Sequence, residues 1–538
     1  MSSKENALPP RSFLRPEFWK DCYLPIHADK KHARRICNYI EDGVPIGYQG
    51  NQCSVSCDNW PSSIKYKSEI NDFIEEGLRL GRIEGPHESL PPNFKVSPLG
   101  AFKRHRSNKV RPIHDLSWPP GLSTNDGIDS SEYSMSYMTI DDVIRFAQMY
   151  DDPWATKIDI RGAYLFVKVR PEDRHLLGFK WQRPNHDTEY FNHASLPFGL
   201  SSACYLFNEI ADSLQEVMIH RGAPPTTTHY LDDFISVSNG HQAGVKTHTI
   251  MEGTADDAGF ETHKSGPKNI VSAKVFDCIG YIVDFNLMQI RISEDRMQEI
   301  REILAEWKTK QTASKREILS IIGKLQFCAK VIRDGSKFLR RLIELSKKPR
   351  LLHHRVTMSR EAIADLAWWD ACLESHNGIY AIPRPWSVDN THIVFSDASD
   401  IAAGIVCYSA WSIFTFDGQY LWMRKKSIAW RELFAVVLLM CTFGPRLQNS
   451  HVTMFIDNMS MVQCVNSGKS KEVAIMGLIR ALYYYTSLYC INYKAIHLSS
   501  ASNAIADSLS RMQFDRFRNL HPLADSTMTL PIKCIIDF

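Results

Sequence analysis

The chain has 538 residues, which is too long for one hydrophobic core and predicts several domains. Its apolar content of 44%, charged content of 23% and net charge of +3 are ordinary for a globular protein and exclude a disordered or fibrous chain. The polar N-terminus MSSKENALPPR lacks the apolar core of a signal peptide, and the longest apolar run, Leu433 to Cys441, is far shorter than the ~20 residues of a membrane span. We therefore expect an intracellular protein, cytoplasmic or nuclear, with no transmembrane segment.

The first half of the chain alternates between strand-like and helical patterns. Residues 1–60 show no clear period and no role, whereas residues 63–80 have apolar residues at helical spacing and are followed by a glycine stop. The segment ATKIDIRGAYLFVKVR, residues 155–170, predicts a strand, a turn and a second strand. Residues 196–218 predict a turn that leads into a helix, and HYLDDFISVS, residues 229–238, predicts a strand or hairpin.

From about residue 286 the pattern becomes helical and basic. Between Arg296 and Arg355 there are sixteen Lys and Arg residues against six Asp and Glu. This excess indicates either a solvated helix surface or a surface that follows a phosphate backbone. Residues 391–511 then predict a further α/β unit, in which two apolar strands each end in an aspartate.

Three aspartates are set into apolar, strand-like segments. Asp159 lies in KIDIRGAY, and Asp232 and Asp233 lie side by side in HYLDDF. Adjacent carboxylates repel one another and a buried charge without a partner is costly, so a cluster of this kind favours a bound cation. Mg²⁺ prefers carboxylate oxygens, and two ions about 3.5–4 Å apart stabilise the attacking and leaving oxygens of phosphoryl transfer. The three aspartates are therefore predicted metal ligands and catalytic residues.

Six motifs follow one another along the chain: VRPIHDLS, KIDIRGAY, LPFGLSS, HYLDDF, GFETHKS and CIGYIVDF. Their order resembles the fingers and palm of a reverse transcriptase, with YLDD as a variant of that family's Tyr-x-Asp-Asp box and the basic helices as its thumb. The resemblance implies an α/β (α+β) multidomain chain with a right-hand polymerase fold. The motifs VSPLGAF, LPFGLSS and YLDDF are most similar to those of DIRS-type retrotransposons, which integrate with a tyrosine recombinase.

The same resemblance implies a nucleotide-binding set. Tyr164 matches an aromatic gate against the nucleotide 2′-OH, and Arg111 matches a fingers arginine along the triphosphate. A basic neighbour, Lys103 or Arg104, would reach the same phosphates. Gly199 matches a glycine that lets the backbone approach the template or nucleotide closely. The alternatives are ordinary core packing for Tyr164 and a plain turn glycine for Gly199.

Further positions match residues that act on the leaving group and the primer. Lys264 matches a lysine that assists the departing pyrophosphate, although a lysine without a role is an equal alternative. Gly280 and Tyr281 match the primer-gripping hairpin.

Four acidic residues recur downstream in strand, helix, strand, helix order. They are Asp397 in HIVFSD, Glu432 in AWREL, Asp457 in MFID and Asp507 in NAIADSLSR. This order resembles a ribonuclease H domain, in which two metal ions serve the hydrolysis of the RNA strand of an RNA–DNA hybrid. His497, ten residues before Asp507, matches a mobile loop histidine that shuttles protons during product release, and a loop histidine without a role is its alternative.

The sequence thus predicts a retrotransposon RNA-directed DNA polymerase with ribonuclease H activity. The predicted domains are an N-terminal extension of unknown role, fingers and palm, thumb, connection, ribonuclease H-like domain and C-terminal tail, at residues 1–60, 61–285, 286–345, 346–390, 391–512 and 513–538. Two Mg²⁺ ions per active site are implied, with Mn²⁺ as a substitute. The implied partners are an RNA template, a DNA primer, RNA–DNA hybrid and deoxynucleotide triphosphates, without a membrane, and the oligomeric state is left open.

Two alternative functions remain. The first is a catalytically decayed or domesticated copy that binds nucleic acid, although intact acids at all seven predicted catalytic positions argue against decay. The second is an RNA polymerase, which the aromatic residue Tyr164 and the predicted nuclease domain both disfavour.

Overall fold

The structure is a computed structural model that describes residues 13–103, 110–184, 186–332, 335–375, 378–382, 391–499 and 502–532. The chain divides into two compact units, residues 1–279 and residues 280–538. Both units contain helices and sheets, so the mixed α/β, multidomain class is confirmed. This boundary, after residue 279, lies close to the one predicted between palm and thumb after residue 285. The predicted thumb, connection and nuclease segments all lie in the second unit.

The first unit contains helices and strands in mixed order. Its strands are β1 Val55–Ser56, β2 Ile83–Glu84, β3 Lys95–Val96, β4 Leu99–Lys103, β5 Val110–His114, β6 Pro153–Asp159, β7 Gly178–Gln182, β8 Thr188–His193, β9 Thr227–Tyr230, β10 Asp233–Asn239, β11 Asn269–Ala273 and β12 Val275–Cys278. Its helices are α1 Pro16–Phe18, α2 Lys30–Asp42, α3 Pro61–Lys65, α4 Lys67–Arg79, α5 Ile140–Ala147, α6 Ala203–His220 and α7 His241–Ala258. Shorter turns include a π-helix at Trp19–Tyr23 and a 3₁₀ helix at Ala163–Phe166.

The predicted catalytic aspartates lie on an antiparallel sheet of order β11-β6-β10-β9. Strand β10 pairs with β6 along its whole length, and the apolar residues Phe234, Ile235 and Val237 are buried. Helix α7 packs on β6, β10 and β11, and helix α6 packs on β9. Such apolar packing makes the sheet a rigid platform for the polar residues at its strand ends.

The N-terminal residues belong to the same core, which the sequence did not predict. Trp19, Tyr23, Ile36 and Ile40 from the π-helix and α2 are buried in one cluster with Phe207 and Leu214 of α6. Asp29 caps α2 by accepting hydrogen bonds from the backbone N–H groups of Lys31 and His32. The described part of this extension is therefore an integral layer of the first unit.

A second sheet, β1-β3-β7-β8-β2, and the hairpin β4-β5 form the remainder of this unit. Helix α4 confirms the predicted helix, although Tyr66 separates it from α3. The predicted second strand of residues 155–170 is wrong. Gly162, with φ of 64°, turns the chain into the 3₁₀ helix Ala163–Phe166, and this sharp turn places Tyr164 next to the sheet end.

A buried pair of histidines predicts how this unit responds to acid. His114 and His193 have ring centroids 5.2 Å apart, and burial lowers the pKa of His114 from 6.5 to about 4 and that of His193 well below its usual value. Because the unfolded chain binds these protons first, stability is complete above pH 6.5 and falls as the pH drops, by about 3 kcal/mol for His114 near pH 4. Urea denaturation between pH 7.5 and 5 is expected to show part of this loss, about 2 kcal/mol from His114 at pH 5.

The variant His193→Phe isolates the effect, because the His193 ring already packs against Phe73 and Phe179 and its two ring nitrogens lack a hydrogen-bond partner within the described parts of the chain. We expect a flatter stability profile over this pH range in the variant. The exposed His220 provides the control, His220→Phe, which should keep the wild-type slope. Equal slopes for all three proteins would show that the buried pair does not govern acid sensitivity.

The second unit begins with helices and ends in an α/β domain. Its strands are β13 Tyr281–Asp284, β14 Gln289–Arg291, β15 Thr312–Ser314, β16 Arg355–Thr357, β17 Ile379–Ala381, β18 Thr391–Ala398, β19 Ala402–Cys407, β20 Ala410–Thr415, β21 His451–Ile456 and β22 Asn492–His497. Its helices are α8 Glu294–Trp307, α9 Lys315–Cys328, α10 Arg340–Lys347, α11 Arg360–Ser375, α12 Ile428–Phe443, α13 Met459–Ser467, α14 Val473–Leu488, α15 Ala504–Ser510 and α16 Phe514–Leu520.

The C-terminal sheet has the order β20-β19-β18-β21-β22. Strands β18, β19 and β20 are antiparallel, whereas β21 pairs in parallel with both β18 and β22. Helices α12 and α15 pack on β18 and β19. Among the described helices one stretch, Ile428–Leu447, has the length and hydropathy to cross a membrane, but 78% of its most apolar window is buried inside the protein, as is typical of a core helix.

The predicted connection is a packed element. Trp368 and Trp369 of α11 are fully buried, so both indoles pack in the interior and offer no stacking surface. Asp365 of the same helix binds Arg480 of α14 at 2.6 Å and Arg341 of α10 at 3.3 Å. Removing one partner of such a buried pair is costly, so these contacts hold α11 against α14.

The C-terminal domain also extends beyond the predicted boundary at residue 512. Phe517 of α16 is buried against Trp411, and the backbone N–H of Thr529 donates to the carbonyl of Trp411. The described part of the predicted tail is thus a structural part of this domain.

Candidate functional site

Asp159, Asp232 and Asp233 meet at one end of the β6-β10-β9 ribbon. Asp159 is the last residue of β6 and lies directly opposite Asp233, the first residue of β10. Asp232 lies in the turn between β9 and β10, where the preceding Leu231 adopts a positive φ of 53°. The backbone N–H of Ile160 donates to the carbonyl of Asp232 at 2.9 Å, which fixes this turn against the end of β6. The three predicted ligands are therefore adjacent.

Basic side chains from β6 and from the loop before β11 contact these carboxylates. The Lys268 ammonium lies 2.8 and 2.7 Å from the two Asp159 oxygens, and His263 Nε2 lies 3.2 Å from Asp159 Oδ1. Lys157, two residues before Asp159 on β6, lies 3.2 Å from Asp233 Oδ2. None of these three residues carried a signal in the sequence. Lys268 faces Asp159 because Asn269 pairs with Ile158, and this register is a tertiary property.

Burial makes the two hairpin carboxylates harder to ionise. It raises the pKa of Asp232, and the charge of Asp233 adds to this effect. Burial also raises the pKa of Asp233, although the Lys157 ammonium opposes the rise. Asp233 Oδ1 is buried and has no hydrogen-bond partner among the described residues. Buried carboxylate oxygens without a partner favour a cation as the missing ligand.

Tyr164 lies beside this cluster in a mostly aromatic setting. Its ring contacts the edges of Phe198 and Phe207, with centroids 5.1 and 5.2 Å away, and its hydroxyl donates to Cys204 Sγ at 3.2 Å. Burial raises the Tyr164 pKa, and the Asp232 charge contributes to the rise. The position fits the predicted gate, and Cys204, which holds the hydroxyl, carried no signal in the sequence.

Gly199 is held against protein backbone. It has a φ of 104°, and a Cβ atom there would lie 2.4 Å from the carbonyl oxygen of His114. Asn125 donates to the Gly199 carbonyl at 2.8 Å and accepts from the Ser201 N–H at 2.9 Å. The close approach that requires glycine is therefore made to His114, and Asn125 is a further positioning residue that the motifs did not reveal.

The other predicted polymerase residues lie in different settings. Arg111 and Lys103 are exposed on the β4-β5 hairpin, and Arg104 lies outside the described residues. Lys264 is 59% exposed and pairs with Glu252 at 2.9 Å, so its described contacts do not bring it to the aspartates. In the second unit, the Tyr281 ring stacks on Phe327 at 4.2 Å, and the Gly280 carbonyl accepts from Arg296 at 3.3 Å.

The four downstream acids also converge. Asp397 lies in β18, Asp457 directly follows β21, Glu432 lies on α12 and Asp507 on α15. Asp457 and Asp507 both raise the pKa of Asp397, and Asp397 and Asp457 both raise that of Glu432. Such effects act at short range, so Asp457 and Asp507 lie near Asp397, and Asp397 and Asp457 lie near Glu432, as the predicted order implies.

Local packing explains this convergence. A Cβ atom at Gly404 of β19 would lie 2.6 Å from Leu509 Cβ, so glycine lets α15 lie close to the sheet and brings Asp507 beside Asp397. The Ser510 hydroxyl donates to Asp397 Oδ2 at 2.5 Å. Arg511 and Arg516 bind the two oxygens of Asp507 at 2.6 and 3.0 Å.

Burial is the main electrostatic effect in this second cluster. It raises the pKa of Asp397 to about 6 and that of Glu432 to about 7, while hydrogen bonds from Ser510 and Asn458 act in the opposite direction. Glu432 Oε2 is buried and lacks a hydrogen-bond partner among the described residues. Glu432 therefore resembles Asp233, since each has one buried carboxylate oxygen without a hydrogen-bond partner among the described residues.

His497 is the last residue of β22 and is exposed, so the expected loop position is wrong. It lies opposite Ile456, the residue before Asp457, which places it at the rim of the acidic cluster. Asn503 directly precedes α15 and donates to the Ser396 carbonyl at 3.0 Å, which ties this helix to the strand of Asp397.

The two clusters have the donor chemistry for hard divalent cations. No group of three or more His, Cys, Asp and Glu side chains within the described ranges already has the arrangement of a metal site. The unpartnered oxygens of Asp233 and Glu432, and the all-carboxylate donor sets, nevertheless fit Mg²⁺ or Mn²⁺. In the first cluster the ammonium group of Lys268 contacts the oxygens that an ion would use.

Comparisons with known proteins cover both units. Residues 119–283 match the family model described as "Reverse transcriptase (RNA-dependent DNA polymerase)". The Transposon Tf2-3 and Tf2-4 polyproteins of Schizosaccharomyces pombe are each 22% identical over 470 residues, which cover 84% of this chain and 31% of theirs. The chain thus spans about a third of the length of the curated relatives that it matches.

Solved structures with similarity to the chain include the foamy viral protease-reverse transcriptase. Its complex with dsDNA has a TM-score of 0.48 and 13% sequence identity, with 91% of this chain and 99% of that chain covered. Its complex with RNA/DNA hybrid has a TM-score of 0.46 and 13% identity, with 91% and 64% covered.

Proposed function

We propose that this chain, whose residues 119–283 match the reverse transcriptase family model, copies RNA into DNA as part of a retroelement and degrades the copied RNA. The observation that carries the proposal is the pairing of Asp159 with Asp233 across β6 and β10, with Asp232 in the adjoining turn. Like charges that face each other destabilise a sheet, so three carboxylates at one sheet end are costly in the absence of a bound cation. A protein that only binds nucleic acid has no use for such a cluster.

In the polymerase step, the primer 3′-OH attacks the α-phosphate of a deoxynucleotide, and pyrophosphate leaves. Asp159, Asp232 and Asp233 would hold the divalent ions, which when bound stabilise the attacking and leaving oxygens. The buried strands keep these carboxylates in position before the substrate arrives, which is the basis of electrostatic preorganisation. Tyr164 would exclude the 2′-OH of a ribonucleotide by its bulk, and Cys204 would hold its hydroxyl in place.

In the nuclease step, water attacks the phosphorus of a phosphodiester in the RNA strand of a hybrid, and the bond from that phosphorus to one ribose oxygen breaks, so that this oxygen leaves as a hydroxyl. Asp397, Glu432, Asp457 and Asp507 would hold the ions there. His497 at the rim of the cluster is suited to accept or donate a proton as product leaves, and its exposure gives it access to solvent.

The proposal includes Mg²⁺ as the metal, two ions per site, contact of Arg111 with the triphosphate, contact of Gly280 and Tyr281 with the primer, and membership of the DIRS-type subfamily. Part of the positive charge of the predicted thumb is paired within the protein, because Lys308, Lys310 and Lys324 form ion pairs with carboxylates. The remaining cations of this segment are predicted to bind phosphates.

A single reaction tests the proposal. The full chain is incubated with Mg²⁺, deoxynucleotides, and a DNA primer annealed to an RNA template, with different labels on the two strands. We expect the DNA label to lengthen and the RNA label to shorten. A folded chain that binds the primer–template but changes neither strand, with Mg²⁺ or Mn²⁺, would favour the decayed nucleic-acid-binding protein.

The lysine contacts predict a difference between Lys268 and Lys264. An exposed ion pair is worth about 0.2–1 kcal/mol, and Lys268 occupies both Asp159 oxygens, so it competes with a metal ion there. In Lys268→Ala the Mg²⁺ concentration for half-maximal primer extension should fall, by up to about fivefold. Lys264→Ala, which loses contacts with Glu252 and Asp256 but none with the three aspartates, should leave this concentration unchanged. The reverse pattern would assign the competing ammonium to Lys264.

A further inference from the structure

A cationic, aromatic loop lies between β20 and α12 and is not part of either acidic cluster. This 418–426 loop consists of the 3₁₀ helix Gly418–Lys425 and Lys426. Its large apolar residues Leu421 and Trp422 are 53% and 43% exposed. Three consecutive cations follow, Arg424, Lys425 and Lys426, and none of them has a carboxylate partner among the residues that the structure describes.

Contacts within the domain hold the loop in shape. Met423 is buried, and Arg424 Nε donates to the Phe416 carbonyl at 2.7 Å. The Trp422 ring meets the edge of Trp430 at 5.7 Å, and the Lys426 ammonium lies 5.6 and 5.7 Å from these two rings. Trp430 in turn stacks on Phe434. The exposed indole and the cations are therefore preorganised, which lowers the entropy lost on binding.

Arg431 connects this loop to the acidic cluster. Its Nη1 donates to the Arg424 carbonyl at 3.3 Å, and its Nη2 binds Asp400 at 2.7 Å. Arg431 precedes Glu432 on α12, and Asp400 lies three residues after Asp397. Arg431 thus links the 418–426 loop to the segment that follows Asp397 and to the helix that carries Glu432.

We propose that the 418–426 loop binds the sugar-phosphate backbone of an RNA–DNA hybrid and holds it at the C-terminal acids. The inference rests on the proposed nuclease function, because a cluster of four carboxylates repels the polyanion on which it would act. Cations without carboxylate partners beside the cluster offset that repulsion, and an exposed indole adds contact area against sugars or bases. A contact of this kind is insensitive to sequence and sensitive to salt.

The test compares hybrid cleavage by the full-length chain and its Lys425→Gln/Lys426→Gln variant between 50 and 200 mM salt. Each lost phosphate contact reduces the steepness of log affinity against log salt by about 0.9. In the double variant kcat/KM should therefore fall by about tenfold or more, and the steepness of its salt dependence should decrease by about 2. The change should appear mainly in KM. Trp422→Ala should raise KM while keeping the wild-type salt slope, because an indole carries no charge.

Two controls separate the possible failures. Arg446→Gln removes an exposed cation beyond the other end of α12 and should leave cleavage unchanged, and DNA synthesis by every variant should stay at the wild-type rate. If the wild type cleaves hybrid and the double variant has the same KM and salt slope, the loop inference is overturned. If the wild type extends primers but never cleaves hybrid, the proposed nuclease function fails first and the inference fails with it.

Discussion

Asp232→Asn is expected to reduce primer extension on an RNA template by at least about a hundredfold. A metal-bound carboxylate contributes several kcal/mol of transition-state stabilisation, and each 1.4 kcal/mol is about a factor of ten in rate. The variant should remain folded, because burial and the neighbouring Asp233 already disfavour the Asp232 charge. Asparagine keeps the shape and removes only that charge, so a steady-state extension assay with matched denaturation curves isolates the catalytic loss.

Asp151→Asn is the matched control, since Asp151 and Asp152 are another adjacent pair but Asp151 is exposed before β6 begins. This variant should extend primers at the wild-type rate. RNA cleavage of a preformed hybrid should persist in Asp232→Asn, because the second acidic cluster is unchanged. Wild-type extension by a folded Asp232→Asn protein would remove Asp232 from the catalytic site.

Glu432→Gln is expected to have the converse effect, with hybrid cleavage lowered by at least about a hundredfold and DNA synthesis unchanged. Its buried Oε2 has no partner among the described residues, and its pKa is raised by burial to about 7, so the carboxylate is positioned for a ligand that is not a protein group. Glutamine has nearly the same volume but is a poorer ligand for a hard cation. Cleavage of an end-labelled RNA strand measures the loss.

The exposed Glu472, at the start of α14, provides the control variant Glu472→Gln in the same domain. Together, Asp232→Asn and Glu432→Gln should separate the two activities within one chain. If Glu432→Gln also abolished DNA synthesis while its melting curve stayed that of the wild type, the two acidic clusters could not be independent sites.

The motifs predicted which aspartates lie together at the sheet end, but they did not predict which side chains contact those aspartates. Asp159 and Asp232 stood out because carboxylates in apolar strands are costly unless a partner is present. Lys268 did not stand out, because a lysine in a polar loop is ordinary until the pairing of Asn269 with Ile158 brings it opposite Asp159. Lys264, four residues earlier, matched the motif and yet contacts Glu252.

A similar limit applies to glycines. Gly199 and Gly404 are each required by a close approach, to the His114 carbonyl and to Leu509. The residues that crowd these glycines are distant in the sequence, so neither the approach nor the helix packing that follows from it could be derived from local pattern.

By itself, the sequence determined the order of the motifs, the apolar strands that carry acids, the helical face of α6 and the mixed α/β class. These are local properties, since side-chain spacing and charge act within a few residues. Tertiary structure alone decided that residues 13–46 complete the core of the first unit, that Lys268 pairs with Asp159, and that Arg431 joins the 418–426 loop to Asp400. These facts depend on strand register and on packing between distant segments, which local spacing and charge do not specify.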